Sequence, residues 1–438
     1  VKNAEHSDAY QAGNWDGTVR LFDARRSRFA SGLVRMVASR AKAAGVAVVV
    51  EDARGKPPGF IDVSAAAWLR DYQVPVLAAM LERKRGIVKM PTGSGKTALV
   101  AGVCQSVMVP WLVLVDTKDL LGQGAEEIAR FTREDVGECG DGVWRPRRIT
   151  VATVQTLARG LGQGGPVDAL LEQAGGVCCD EVQVASAQDA NHVLMAMPNA
   201  YYRFGVSATP LEREDEADYR AVEATGSMIY EVAEAPLVAA GWIAKAEIFF
   251  AEFEHEKMTG SWSDVYEAGV VLNERRNTLV AKLAGAAYSP RPTLVFFRTI
   301  SHGPRLERLI GVGGVTAEIV DGRHSSFSRD QAKARLNTGR VDVLLTSKIF
   351  NKGVNIPFVE SAVNAGAGKS TIDAVQKVGR IKRAQGVPRT VRFWDVMDRR
   401  NRWLEAHSRA RLDAFRARGY DARVVTEADM PSVLRRAA

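Results

Sequence analysis

The sequence predicts an α/β protein in which two parallel sheets follow one another, preceded by a small α+β module. Short apolar runs alternate with helical stretches from Leu69 to about Glu234, and a second alternation runs from Ala246 to about Val396. A chain of 438 residues, 46% hydrophobic and 25% charged, is long enough for two or three globular cores. These observations together favour two tandem α/β domains.

The first module is predicted over residues 1–62. Residues 17–22 alternate like a strand, 31–43 have helical periodicity, and 46–50 form a second apolar run. Seven basic residues lie between 20 and 42, against the single acid Asp23. This charge favours contact with a nucleic-acid backbone, but a solvated helix face explains it equally well.

The remaining boundaries follow from the apolar runs. We expect a first domain over 63–238, a second over 239–398 and a basic extension over 399–438. In that extension, a helix over 399–417 ends before Gly419 and a strand follows over 420–426. The predicted strands are 86–90, 111–115, 148–152, 176–179 and 203–206 in the first domain, and 246–251, 293–297, 316–320, 341–346, 361–364 and 390–395 in the second.

Charge and cysteine content narrow the functional classes. The net charge of +8 and the isoelectric point near 9.3 suit a polyanionic partner, although they also suit a simply basic protein. The four cysteines lack metal-ligand spacing, which indicates reduced core residues. The polar N-terminus and the absence of a long apolar run predict no signal peptide and no membrane span. We therefore expect a protein of the bacterial or phage-infected host cytoplasm.

Residues 91–97 read as a phosphate-binding loop between a strand and a helix. Glycines at 93 and 95 allow the backbone N–H groups to point into one concavity, and Lys96 is suited to the β- and γ-phosphates of a nucleotide. Thr97 would bind Mg²⁺. Met90 stands where the full pattern has glycine. The predicted ATP-binding residues of this loop are Pro91, Thr92, Gly93, Ser94, Gly95, Lys96 and Thr97.

An apolar run that ends in Asp180 and Glu181 supplies the acids that this chemistry needs. Asp180 would join the Mg²⁺ shell, and Glu181 would orient or deprotonate the attacking water. The next strand is followed by Ser207 and Thr209, whose hydroxyl groups could carry hydrogen bonds between the nucleotide site and the domain interface.

Residues 376–383 carry the pattern Gln-x-x-Gly-Arg-x-x-Arg in the second domain. On a helix, Arg380 and Arg383 would lie one turn apart on the same face. They would then be able to neutralise charge on a γ-phosphate, as arginine fingers do. A basic helix face that binds nucleic acid or solvent remains the alternative.

Taken in order, these motifs resemble those of the superfamily 2 nucleic-acid helicases and translocases, over about residues 65–400. The matching elements are 69–73 (adenine reading), 91–97 (motif I), 113–118 (Ia), 151–157 (Ib), 180–183 (II), 207–209 (III), 293–298 (IV), 346–357 (V) and 376–383 (VI). The resemblance implies two RecA-like domains and a nucleic-acid-dependent ATPase that uses ATP and Mg²⁺.

The resemblance also implies roles for further residues. Arg70 and Gln73 would read adenine, Gly353 would contact ATP, Gln376 would join the catalytic set, and Gln183 would couple the nucleotide site to motif VI. The implied nucleic-acid contacts are Thr117, Lys118, Thr153, Gln155, Thr156, Arg298, Thr346 and Lys348.

Two positions depart from the usual pattern. Gln183 stands where related branches have histidine, so any coupling there would not titrate near neutral pH. Asn355 replaces a common carboxylate, which removes a charge from motif V.

The compact layout and the run at 15–22 resemble phage recombination helicases of the UvsW type. This implies a monomer that acts on single-stranded and branched duplex DNA, without a membrane. An RNA helicase, a motor subunit of a restriction or remodelling complex, and a non-catalytic binding module are the alternatives.

Overall fold

The computed structural model describes residues 5, 8–14, 16–55, 61–211, 218–285, 291–347, 359–384 and 386–430. The chain divides into two compact units. The first comprises Val1–Pro91 and Gly95–Ala233, and the second comprises Thr92–Ser94 and Glu234–Ala438.

The N-terminal region contains a short helix, a two-stranded hairpin and a longer helix: α1 (Asp8–Gln11), β1 (Phe22–Asp23), β2 (Arg28–Phe29) and α2 (Val34–Ala43). The helix predicted over 31–43 is confirmed, with its first turn in 3-10 form. The predicted strand over 17–22 is wrong except for Phe22, which alone joins the hairpin.

The strand predicted over 46–50 is also wrong. This segment makes no ladder with any described residue, and its four valines are 44% to 95% exposed. A β-branched run needs a neighbouring sheet edge to become a strand, and among the described residues of the first unit none pairs with this segment.

An eight-stranded sheet forms the centre of the first unit, in the order β10-β3-β9-β8-β4-β7-β5-β6. Every neighbouring pair is parallel except β5 and β6. The strands are β3 (Arg85–Lys89), β4 (Trp111–Val115), β5 (Gly137–Gly140), β6 (Val143–Arg145), β7 (Ile149–Thr153), β8 (Gly176–Asp180), β9 (Tyr202–Ser207) and β10 (Met228–Glu231).

The helices described on this sheet are α3 (Val74–Arg83), α4 (Lys96–Ser106), α5 (Lys118–Thr132), α6 (Val154–Gly160), α7 (Pro166–Gln173), α8 (Gln188–Met195) and α9 (Asp218–Thr225). Short 3-10 turns occupy Val63–Ala66 and Val182–Ser186. Because both faces of a parallel sheet are covered, its central strands consist almost wholly of buried apolar residues. All four cysteines are free and buried, as expected for core residues.

A seven-stranded, wholly parallel sheet forms the centre of the second unit, in the order β13-β14-β12-β15-β16-β11-β17. Its strands are β11 (Lys245–Glu254), β12 (Thr293–Phe296), β13 (Ala317–Val320), β14 (Val343–Thr346), β15 (Ser361–Asn364), β16 (Thr390–Arg399) and β17 (Ala422–Val425).

The helices of this unit are α10 (Glu234–Ala239), α11 (Trp262–Tyr266), α12 (Glu274–Ala284), α13 (Gly303–Val312), α14 (Ser326–Asn337), α15 (Thr371–Ile381) and α16 (Arg402–Ala417), with a π-helical turn over Glu267–Val271. The two faces of the sheet carry separate apolar clusters. None of the helices that the structure describes is long and apolar enough to cross a membrane.

The predicted class is confirmed: two RecA-like parallel sheets follow a small α+β region. The runs at 111–115 and 361–364 coincide with β4 and β15. The strands β5, β6 and β10 were not predicted.

Candidate nucleotide-binding site

Three adjacent parallel strands of the first unit, β3, β9 and β8, end beside the candidate site. The loop after β3 turns through Gly93 and Gly95, whose φ angles are +87° and +79°. Gly95 caps the N-terminus of α4. Met90 is fully buried, and its N–H donates to the Ser207 carbonyl at 2.8 Å. The position that lacks glycine therefore belongs to the end of the sheet rather than to the phosphate-facing turn.

Lys96 and Glu181 form an ion pair at this edge. Lys96 Nζ lies 2.9 Å from Glu181 Oε1, and the two side chains are only 12% and 20% exposed. Glu181 adopts a left-handed backbone conformation with φ +53°, which is uncommon for a residue other than glycine. Its own N–H donates to Asp180 Oδ1 at 3.0 Å. Strain of this kind concentrates at functional sites.

Hydrogen bonds from Gln183 and Ser207 fix the other Glu181 oxygen. Gln183 Nε2 donates to Glu181 Oε2 at 2.8 Å, and Ser207 Oγ lies 2.6 Å from Gln183 Oε1. Ser207 Oγ also lies 3.1 Å from Glu181 Oε2 and accepts from the Thr209 N–H at 3.0 Å. The structure thus joins the three predicted coupling residues to the candidate general base, and their coupling role stays a prediction.

Gln73 is almost fully buried and supports the loop itself. Its Nε2 donates to the Gly95 carbonyl at 3.0 Å, and its Oε1 accepts from the Arg70 N–H at 3.0 Å. Arg70 Nη1 donates to Tyr72 Oη at 3.3 Å. Both ends of the Gln73 carboxamide therefore have protein partners here, and adenine reading by Arg70 and Gln73 stays a prediction.

The donor set fits ATP with Mg²⁺. The left-handed glycines and the start of α4 present backbone N–H groups, Lys96 would supply a cation, and Thr97 and Asp180 would supply oxygen ligands. Within the described part of the chain, no cluster of three or more His, Cys, Asp or Glu side chains could hold a metal by itself.

The predicted motif Ia and Ib residues also come together, at the ends of β4 and β7. Gln155 Nε2 donates to the Asp116 carbonyl at 2.9 Å, and Thr153 Oγ donates to Thr156 Oγ at 2.9 Å. Thr117 caps the N-terminus of α5. Their contact with nucleic acid stays a prediction.

The unpredicted hairpin β5–β6 lies against these residues. A Cβ atom on Gly140 would come 2.8 Å from Thr153 Oγ, and Asp141 at the turn lies 3.6 Å from Lys118 Nζ. The only sequence signal for this hairpin was the glycine content of 137–142, which also suits a loop.

In the second unit, Arg298 follows β12 and is exposed, with its guanidinium 5.5 Å from the centre of the Tyr266 ring. Thr346 ends β14 and is fully buried. Its hydroxyl donates to the Ser347 carbonyl at 3.2 Å, so in this state the side chain faces inward. The predicted contacts Lys348 and Gly353, and the departure at Asn355, lie outside the described residues.

The prediction that Arg380 and Arg383 share a helix face is wrong. Gln376 and Arg380 lie on α15, but this helix ends at Ile381 and Arg383 forms a β-bridge with Ile243. Beside this bridge, the Lys382 carbonyl accepts a hydrogen bond from the Ala244 N–H at 2.8 Å. Because this carbonyl is used by Ala244, it does not accept the next hydrogen bond of the helix, and the helix ends.

Lys382 itself is held in the interior of the second unit. Its ammonium group pairs with Glu234 and donates to Tyr420 Oη at 2.9 Å. Burial lowers the pKa of Lys382, against the raising effect of Glu234. This anchor fixes the chain between Arg380 and Arg383.

Comparison with known families agrees with the fold. The family "Type III restriction enzyme, res subunit" matches residues 67–212, and "Helicase conserved C-terminal domain" matches 275–385. The two matches together span more than half of the chain. This protein belongs to the superfamily 2 helicases and translocases, which are nucleic-acid-dependent ATPases.

Among curated relatives, "Putative DNA 3'-5' helicase Rad25" of Halobacterium salinarum is 29% identical over 82% of this chain and 58% of its own length. "ATP-dependent DNA helicase uvsW" of Enterobacteria phage T4 is 22% identical over 89% of this chain and 83% of its own length. This chain therefore spans somewhat more than half of the first relative and most of the second.

Solved structures show the same fold. An HsdR fragment of a type I restriction enzyme from Vibrio vulnificus matches with a TM-score of 0.61 and 17% identity, covering 84% of this chain and 72% of that one. S. cerevisiae Dbp5 bound to RNA and ADP BeF3 matches with a TM-score of 0.56 and 15% identity, covering 84% and 97%.

Proposed function

We propose that this protein is an ATP-driven DNA translocase that moves 3′ to 5′ and remodels branched DNA such as forks, Holliday junctions and D-loops. The observation that carries the catalytic part is the Lys96–Glu181–Gln183 arrangement at the carboxyl ends of β3 and β8. The substrate part draws on the similarity to relatives named as DNA helicases and to the phage T4 helicase over most of both chains.

Lys96 would bind the phosphates, which breaks its ion pair with Glu181 and leaves that carboxylate available to take a proton from water. Gln183 and Ser207 would keep Glu181 oriented during this exchange. Bound ATP would supply the phosphoanhydride bond that is cleaved, and Mg²⁺ would neutralise negative charge on the phosphates. Arg380 on α15 and Arg383 in the β-bridge that follows it would neutralise negative charge on the γ-phosphate.

The proposal keeps the predicted domain division: residues 1–62 would serve as an accessory nucleic-acid-binding module, 63–238 and 239–398 as the two motor domains, and 399–438 as an extension. The protein would act as a monomer in the cytoplasm of a bacterium or of a phage-infected host. Its strand contacts would be made mainly to phosphates, which gives salt-dependent binding with little base preference.

A substrate panel tests the proposal. The full chain is assayed for ATP hydrolysis and for strand displacement on forked DNA, a Holliday junction, linear duplex, single-stranded DNA and RNA, with Lys96→Ala as the inactive control. We expect displacement on forks and junctions, little on blunt linear duplex, and none with Lys96→Ala. Activity on RNA alone would contradict the DNA assignment, and equal displacement on linear and branched DNA would contradict the branched substrate.

A further inference from the structure

A row of aromatic and basic side chains lies at the surface of the second unit and just beneath it, near the carboxyl ends of its parallel strands. We call it the Trp262 patch: Trp262, Tyr266, Arg298, Trp403 and His407. Ring centres lie 4.5 Å apart between Trp262 and His407 and 5.5 Å apart between Trp262 and Tyr266. The Arg298 guanidinium lies 5.5 Å from the centre of the Tyr266 ring. Trp403 precedes His407 by one helical turn on α16 and is 37% exposed.

This row is more than the packing of a small core. The buried core beside α11, the π-helical turn and α16 consists of Val265, Tyr266, Val270, Val271, Ala367 and Leu404, so the Tyr266 ring lies beneath the surface and supports Trp262. Trp262 and His407 remain partly exposed beside them, and Arg298 is exposed. Apolar packing alone does not require a tryptophan–histidine pair at the surface, next to an arginine of motif IV.

A buried network holds the neighbouring loop rigid. The loop follows β15 and carries Lys369, which is exposed. Arg276 Nη1 donates to the Ala365 carbonyl and Arg411 Nη1 to the Gly368 carbonyl, both at 2.8 Å. Each guanidinium is itself fixed by a buried carboxylate, Asp398 or Asp395. The loop therefore presents its basic side chain from a preorganised backbone.

The charge of the patch suits a polyanion. A Cβ atom on Gly368 would lie 3.5 Å from Arg298 Nη1, so the loop that carries Lys369 runs directly beside this guanidinium. Arg402 adds a further cation over the Trp403 ring, at 4.8 Å. Burial lowers the pKa of His407, and the positive charges of Arg411, Lys369 and Arg298 lower it further, against the hydrogen bond to the Ala367 carbonyl. Two exposed cations, Lys369 and Arg298, therefore lie near this ring.

We infer that the Trp262 patch binds single-stranded DNA, with phosphates against Arg298 and Lys369 and a base stacked on Trp262. The inference rests on the proposed function and extends the predicted Arg298 contact to residues that no motif includes. Alternating rings and cations are the chemistry by which proteins hold single strands without reading their sequence.

The test compares two fluorescent oligomers of equal length, one of thymidines and one with the same backbone but no bases. Both bind the full chain without nucleotide, at fixed salt. Loss of one stacked base predicts that Trp262→Ala binds the thymidine oligomer about tenfold more weakly. Binding of the baseless oligomer should stay unchanged, and Trp262→Phe should keep most of the affinity. Lys369→Ala should weaken binding of both oligomers by a similar factor.

Tyr201→Ala is the matched control. Its ring is also partly exposed beside two cations, Arg54 at 4.4 Å and Lys84 at 5.7 Å. Tyr201, however, directly precedes β9 and so lies at the amino ends of the strands of the first sheet, whereas the phosphate loop lies at their carboxyl ends. We expect it to bind both oligomers like the wild type. Thermal unfolding checks that each variant is folded. If Trp262→Ala does not fold, Trp262→Leu replaces it, because leucine keeps an apolar side chain without a stacking ring, and the same base-dependent loss is expected.

Wild-type affinity of a folded Trp262→Ala for the thymidine oligomer, or an equal loss for both oligomers, would overturn the inference. These results are distinct from failure of the proposed function, in which the wild type itself binds no DNA and shows no DNA-stimulated ATP hydrolysis.

Discussion

At the scale of single residues, Glu181 shows how backbone conformation serves the site. Its left-handed conformation costs roughly 1–3 kcal/mol for a residue with a side chain. In return, one carboxylate reaches Lys96 through one oxygen and Gln183 through the other. The sequence predicted these residues from their motif, but it did not show that Ser207 bonds to both Gln183 and Glu181.

His302 gives a prediction about stability and pH. It is buried in the second unit, where its Nε2 lies 2.8 Å from Asn277 Oδ1. Burial, followed by the charges of Arg276 and Arg305, lowers its pKa from 6.5 to about 3. The unfolded chain therefore binds a proton below pH 6.5 that the folded chain does not, and stability is lost as the pH falls.

We expect His302 alone to remove about 2 kcal/mol of unfolding free energy between pH 7 and pH 5. Urea unfolding of the wild type and of His302→Gln at both pH values measures this. The variant should be less stable at pH 7 but should lose less on acidification. Identical pH dependence in the two proteins would show that His302 titrates normally in the folded state.

At the scale of elements, the strand β9 passes close to the turn that carries Glu181 and Val182. This close approach requires glycine at position 205 of the strand. A Cβ atom on Gly205 would lie 2.2 Å from Val182 Cγ2, directly after Glu181. Gly205→Ala should therefore destabilise the first unit by about 1–3 kcal/mol through overpacking. It should also lower kcat for ATP more than it changes KM, because it displaces the turn that carries the general base.

Gly311→Ala is the control for this substitution. Gly311 lies in α13, and a Cβ atom there would meet nothing within 4 Å. Alanine should stabilise this helix by about 0.5–1 kcal/mol and leave kcat unchanged. Chemical denaturation measures the free energy of unfolding of both variants, and steady-state kinetics measure their kcat and KM for ATP. A fully active, stable Gly205→Ala would refute the importance of this contact.

The sequence predicted those elements whose signal is local. The strand at 111–115 is a short apolar run that becomes buried on every side, and the loop at 91–97 carries its own backbone requirements. The end of α15 depends on Ala244, far away in the chain, and could not be read from 376–383. The valines at 46–50 have strand propensity but no partner strand in the described structure. The members of the Trp262 patch come from three separate segments, which no sequence motif joins.

At the scale of the whole molecule, the two units follow one plan. Each ends its parallel strands in loops that carry the proposed functional residues: the phosphate loop and the acidic turn in the first, and Arg298 with its neighbouring patch in the second. In the proposed translocase, ATP would bias the arrangement of these units, and each cycle of binding and hydrolysis would shift the DNA strand.

ATP hydrolysis by the wild type and by Glu181→Gln, each with and without single-stranded DNA, tests this account most directly. The account predicts that DNA raises the wild-type rate severalfold. It also predicts that Glu181→Gln still binds ATP but hydrolyses it at least roughly a hundredfold more slowly, because the general base is lost. A folded Glu181→Gln with wild-type turnover, or a wild-type rate that is equal with and without DNA, would contradict it.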